Sequence, residues 1–264
     1  MRPTPYELAV GFGTNFFDAL GIGSYATTTA AYKARNTVPD EQIPGTLNVG
    51  HLPPTIVEAF IYITVVNVEV VTLIALIAGA TAGAWLGSGV VSRWPKRTIQ
   101  RGMAVALVLT ATFMILRQVG LFPAGGDAIG LALPWLAVGV LGNALFGALM
   151  TLGVGMYAPC MAMVSLLGMS PATAFPIMMG SCAFLMPVAS IRFIRAGAYA
   201  PRAALGLAIG GVPGVLVAAF LVKSLPLGAL RWMVVLVILY TAAVMWRSSL
   251  ARPTPSRVGF VDIT

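Results

Sequence analysis

The sequence predicts an all-α polytopic membrane protein made of two copies of one unit, and three observations carry that prediction. The chain is 58% hydrophobic and 9% charged, with a mean hydropathy of +0.91, well outside the composition of a soluble domain. Apolar runs recur at 73–91, 103–116, 131–152, 203–222 and 233–246, each close to or beyond the ~20 residues a helix needs to cross a bilayer. They are continuous rather than alternating, which excludes a membrane β-barrel. Finally, the chain matches itself at a single offset of 132: Gly21-Ile-Gly23 on Gly153-Val-Gly155, Tyr25-Ala on Tyr157-Ala, Pro39 on Pro171, Pro44 on Pro176 and Gly79 on Gly211. Duplicated hydrophobic chains are the pattern of transporters that bind at the interface between their repeats.

Taken in order, the first copy (1–120) opens with a glycine-rich segment at 6–36, followed by spans at 45–66, 70–92 and 99–117. The second copy (121–250) has its glycine-rich segment within 130–168 and spans at 174–194, 203–223 and 229–247; a basic, proline-interrupted tail covers 251–264. The charges decide how the copies face. If each glycine-rich segment crosses once, the 16 basic residues split evenly between the two faces. If each folds into a re-entrant hairpin, only Arg117, Lys223 and Arg231 lie on one face and the other thirteen of the 16 share the opposite one. The positive-inside rule selects the hairpins. The fold class is therefore two inverted-topology repeats, each a broken, re-entrant glycine-rich hairpin plus three transmembrane helices. Both termini are expected in the cytoplasm. The segment from Pro5 to Asn36 is too short for two full spans, and a broken pair of half-helices is tolerated at membrane depth where protein or a water-filled cavity satisfies the backbone.

Composition also limits chemistry. The net charge of +8 reads as basic cytoplasmic loops, so no nucleic acid partner is expected. Two cysteines and one histidine give neither a disulfide framework nor a zinc cluster. No metal or cofactor is expected, and no nucleotide-binding loop is present to drive an ATP motor. The first residues lack the layout of a cleaved secretory signal.

The hairpin tips, Gly21-Ile-Gly23-Ser24 and Gly153-Val-Gly155-Met156, are where the backbone reverses and where a ligand can come close. A half-helix begins after each tip, so its N-terminal amides and partial positive charge face the protein centre and suit an anion. Close helix packing is the alternative use of such glycines. Candidate substrate contacts are Gly21, Gly23, Ser24, Tyr25, Asn48, His51, Gly153, Gly155, Met156, Ser181 and Cys182. Asn48 and His51 share one helical face. His51, Asp18 and Glu58 are the candidates for a coupled proton, the alternatives being a histidine tied to a carbonyl and carboxylates in structural pairs. Cys160 and Cys182 read as apolar filler or as cavity thiols. The Gly79-x-x-x-Gly83-x-x-x-Gly87 run is a packing face without chemistry. On this reading, bulky groups at Gly23 and Gly155 each cut binding severely, whereas Gly83→Ala costs binding little.

Gly21-Ile-Gly23, Gly79 through Ser92-Arg-Trp-Pro95, Gly153-Val-Gly155 with Pro159 and Gly168, and Ser190-Ile-Arg-Phe-Ile-Arg-Ala-Gly-Ala-Tyr199 with Gly210-Gly211 together resemble the TauE/SafE family, over nearly the whole chain. That resemblance implies export of a small anion such as sulfite, sulfoacetate or thiosulfate across a bacterial inner membrane. The chain departs from the family pattern after each Gly-x-Gly, at Ser24-Tyr25 and Met156-Tyr157, and at His51. The expected partners are thus a sulfite-like or organosulfur anion and the lipid bilayer; pairing of two chains is left open. An anion channel and an intramembrane hydrolase using Ser24 and His51 are the competing functions, although a non-enzymatic role is expected.

Overall fold

The computed structural model describes residues 2–121, 125–221 and 227–250; Lys223, Arg252, Arg257 and the rest of the tail 251–264 lie outside the described residues. The chain forms α1 (Pro5–Asp18), α2 (Ser24–Arg35), α3 (Ile43–Gly50), α4 (Leu52–Val65), α5 (Val70–Val91), α6 (Lys96–Gln118), α7 (Leu133–Met150), α8 (Tyr157–Leu166), α9 (Ala174–Arg195), α10 (Pro201–Leu221) and α11 (Leu227–Leu250). Short 3₁₀ turns precede α3 and α9. Among the described residues there is no strand, only one bridge between Ala128 and Met169. Five helical stretches there are long and apolar enough to cross a membrane: Val70–Val91, Lys96–Gln118, Leu133–Met150, Pro171–Arg195 and Pro201–Phe220. Large apolar side chains such as Phe60, Leu133, Leu141 and Phe220 point outward, as lipid-facing surface requires.

Local sequence explains the first elements. Thr4 caps α1 by accepting from the Glu7 amide at 3.2 Å, while the Glu7 carboxylate accepts from the Thr4 amide at 2.6 Å, a reciprocal capping box. Pro5 takes the first helical position, where its missing N–H costs nothing. α1 and α2 form an antiparallel hairpin. At its open end the Tyr6 hydroxyl donates to the Ala31 carbonyl at 2.7 Å and Arg35 lies over the Tyr6 ring. At its closed end Asp18 accepts from Ser24. The reversal itself needs glycine: Gly23 has φ +92° and, in the second hairpin, Gly153 has φ +98°, where a Cβ is strained.

One expectation is corrected. The segment 45–66 is not a single span but two helices, α3 and α4, joined at His51. Pro53 and Pro54 remove two consecutive amide donors, so the carbonyls they would have reached lose helical partners and the axis breaks there.

Packing couples the two halves. α5 and α7 run parallel, with Gly79, Gly83 and Gly87 set against the backbones of Val140, Ala144 and Ala148. α10 and α1 do the same, with Gly206, Gly210 and Gly214 against Glu7, Leu8 and Phe12. α3–α4 and α9 cross in opposite directions, since Gly45 faces Phe193 while the Tyr62 ring stacks on Phe175 at 4.9 Å. α6 packs along α11.

Polar contacts gather the helix ends into two sets. At one end Lys33 pairs with Asp40 at 2.7 Å, Gln100 donates to the same carboxylate at 2.6 Å, Lys96 lies 3.5 Å from Glu41, and Arg202 pairs with buried Glu7 at 3.0 Å. There too the Ala200 amide donates to Thr46 Oγ1. At the other end the Glu69 amide donates to Ile129, Gly126 to Met169 and Ser170 to Ala128.

Candidate functional site

The two glycine turns meet in the middle of the bundle. Gly23 from the first and Gly155 from the second line two small cavities in common, with Tyr25 as a third shared wall.

The first cavity is completed by Gly21, Ile22, Ala26, and by Thr110, Phe113, Met114 and Arg117 of α6. It has about 40 Å³ available to water centres, room for roughly three water molecules. Arg117 borders it, and a guanidinium is the group best shaped for planar or tetrahedral oxyanions. Gly155 has no neighbouring atom within 4 Å of where a Cβ would sit, so only hydrogen keeps that wall open.

The second cavity is smaller, about 30 Å³, and lined by Asp18, Ser24, Thr55, Met150, Met156, Met178, Met179 and Cys182 besides the shared wall. Here Asp18 accepts from the Ser24 amide at 3.0 Å and from its hydroxyl at 2.7 Å. The carboxylate thus occupies the first amide of α2, a donor the sequence reading assigned to an incoming anion. No side chain caps α8.

The remaining sequence candidates fall outside both linings. His51 is fully buried between Asn15, whose Oδ1 lies 2.9 Å from Nδ1, and Thr28, whose Oγ1 lies 3.0 Å from Nε2. The Asn15 amide nitrogen donates to the Gly11 carbonyl, which leaves its oxygen to accept from Nδ1–H and sets Nε2 as the acceptor for Thr28. His51 also stacks on Tyr25, ring centroids 5.7 Å apart. It therefore holds the shared wall from behind. Ser24 and His51 are each bonded to other partners, so the structure does not bring together the pair a hydrolase would use. Asn48 donates to the Pro44 carbonyl, Ser181 accepts from Asn143, and Gly153 faces Met103. Glu58 is buried, and neither carboxylate oxygen has a partner among the described residues; the Tyr25 hydroxyl is also unpartnered.

Sequence reasoning read Met178 and Met179 as adaptable lining around the second hairpin, and they do line the second cavity; it missed Arg117 and Met150 as lining residues. The duplication held the signal for one of them, since Met150 stands at the offset of 132 from Asp18, just as Met156 does from Ser24. Arg117 was marked only as one of the few basic residues on the poorly charged face.

The long apolar helices and the outward apolar surface define a multi-pass α-helical membrane protein. The family model Sulfite exporter TauE/SafE matches the chain over residues 2–114. No curated protein and no solved structure matches the chain.

Proposed function

We propose that this protein is a secondary transporter that exports a small sulfur-containing anion, sulfite or an organosulfonate, across a bacterial inner membrane with both termini in the cytoplasm. The observation that carries the reading is the joint lining of the central cavities by Gly23 and Gly155. Two hairpins that enter from opposite faces and touch at their turns make a single site that each half can open to its own side. The antiparallel crossing of α3–α4 and α9, equivalent elements of the two copies, supports inverted topology, as does the exchange in which each copy's first helix packs on the other copy's α5 or α10. α1 and α2, 14 and 12 residues long, reach only about 21 and 18 Å at 1.5 Å per residue, short of the ~30 Å hydrocarbon core. Such lengths suit re-entry of the first hairpin, whereas α7 of the second, at 18 residues, is long enough to cross.

In this reading the anion occupies the cavity beside Arg117, its charge met by the guanidinium and the α8 N-terminus. Tyr25, braced by His51, divides that cavity from the one containing Asp18. The two halves rock about the turns and expose the anion to either side. Asp18 and Glu58 carry the coupled proton, since ionisable groups buried at membrane depth are costly and are kept for ion movement.

The test is sulfite efflux from proteoliposomes under imposed pH gradients. Arg117→Gln is expected to reduce flux by roughly tenfold or more, the loss of one charged contact to the anion, while Arg117→Lys retains part of it. Flux unchanged by Arg117→Gln would remove the anion from this cavity, and a rapid uncoupled current would replace the transporter by a channel.

A further inference from the structure

The second cavity has a chemistry that a sulfite site does not need. Cys182 Sγ lies 3.5 Å from Met150 Sδ and 4.0 Å from Met156 Sδ. Met178 and Met179 line the same space. All five side chains are buried, yet they border open volume instead of filling it. Methionine usually serves as adaptable apolar filler. Filler needs no particular atom turned toward a neighbour, whereas here two thioether sulfurs face one thiol across a cavity wide enough for a single small ion.

We propose that Cys182, Met150 and Met156 form a binding site for a soft monovalent metal ion, with Cu(I) as the physiological class. Thiolate and thioether donors select Cu(I) over the harder divalent ions. With metal–sulfur bonds of about 2.3 Å, three sulfurs arranged trigonally stand about 4 Å apart, and Cys182 stands 3.5 and 4.0 Å from its two methionines. The residues are fixed by separate elements: Met150 ends α7, Met156 precedes α8, and Cys182 lies within α9. Little rearrangement is needed to close them on an ion. Charge balance also favours a monovalent ion. On binding, the Cys182 S–H bond breaks, a sulfur–metal bond forms and the proton leaves to water, so one positive charge enters as one departs. No cation lines this cavity among the described residues.

The duplication makes the arrangement sharper. In the first copy the positions equivalent to Met150 and Met156 are Asp18 and Ser24, which are hydrogen-bonded to each other. One hairpin neck is thus closed by hard oxygen groups, and its counterpart is left as a pair of thioethers facing the same cavity. This inference goes beyond the anion-export reading and does not depend on it.

The test uses the purified full-length protein in detergent, reduced and free of oxygen, titrated with Cu(I) in competition with bathocuproine disulfonate. One equivalent is expected to bind, with a sulfur-only first shell by X-ray absorption. Cys182→Ser, and separately the pair Met150→Leu with Met156→Leu, should each weaken binding by more than the roughly tenfold typical of changes just outside a metal's ligand shell. Met163→Leu, at a methionine outside the cavity, should bind as wild type. Leucine nearly conserves methionine's volume, and size-exclusion profiles check that the variants are folded. In the otherwise native protein with Cys160→Ala, Ag(I) should protect Cys182 from alkylation. Absence of tight Cu(I) binding, a nitrogen or oxygen shell, or equal affinity in Cys182→Ser would overturn the proposal. Sulfite flux measured without metal is a separate result and bears only on the anion reading.

Discussion

Gly83→Ala is expected to be among the most destabilising single-methyl additions in this chain. A Cβ at Gly83 would overlap the Ala144 carbonyl, lying 2.6 Å from its carbon and 2.9 Å from the Ala144 Cα. These are backbone atoms of a neighbouring helix, so no side chain can rotate away. α5 and α7 would have to part, and overpacking of this kind costs about 3 kcal/mol. The sequence reading of Gly79, Gly83 and Gly87 as a packing face holds; its expectation that Gly83→Ala costs little concerned binding, and the cost here falls on folding. Gly13→Ala is the matched control. Nothing lies within 4 Å of its added methyl, and alanine improves a helix interior by about 1 kcal/mol. Thermal unfolding in detergent should therefore move in opposite directions for the two variants. Equal shifts would mean that α5 and α7 are not in backbone contact.

Gly155→Leu should have the largest effect on transport with the least effect on folding. Gly155 does not adopt a left-handed backbone, and its missing side chain meets no atom within 4 Å. A leucine there can be built without strain, but it projects into the space that Gly23 and Tyr25 also wall. Sulfite flux in proteoliposomes should fall by about two orders of magnitude, the scale of effect when a bound group is displaced by an ångström or more. The unfolding temperature should stay near wild type. Gly23→Leu is a poorer probe, because φ +92° adds about 1–3 kcal/mol of backbone strain and mixes stability with function. Flux unaffected by Gly155→Leu would show that the anion passes elsewhere.

The helical membrane class was legible because it follows from composition and from run length. Hydrophobic stretches near span length have few alternatives, and glycine at 21, 23 and 153 marks a reversal by its backbone freedom alone. The site was only partly legible. Ser24, Tyr25 and Met156 could be picked from their place beside the turns and Cys182 from its repeat equivalence to the Asn48 region, and all four border the cavities. Arg117 could not, since its arrival depends on how α6 packs against the first hairpin, contact information that no local pattern holds. The roles of His51 and Asp18 were hidden for a related reason. Each looked available as a lone polar group in an apolar stretch, but their partners Asn15, Thr28 and Ser24 come from tertiary folding and a tight turn. Proline pairs, by contrast, are local, and Pro53-Pro54 could have announced the break at His51.

Inverted hairpins meeting at their turns are the core of this account, and sidedness labelling tests it most directly. In a protein with Cys160→Ala and Cys182→Ala, single cysteines at Ala34, Ala196 and Leu121 would be probed with a membrane-impermeant maleimide in right-side-out and inverted vesicles. The account expects Ala34→Cys and Ala196→Cys to react together from the cytoplasmic face, and Leu121→Cys from the opposite one. Reaction of the positions at 34 and 196 from different sides of the membrane would contradict it.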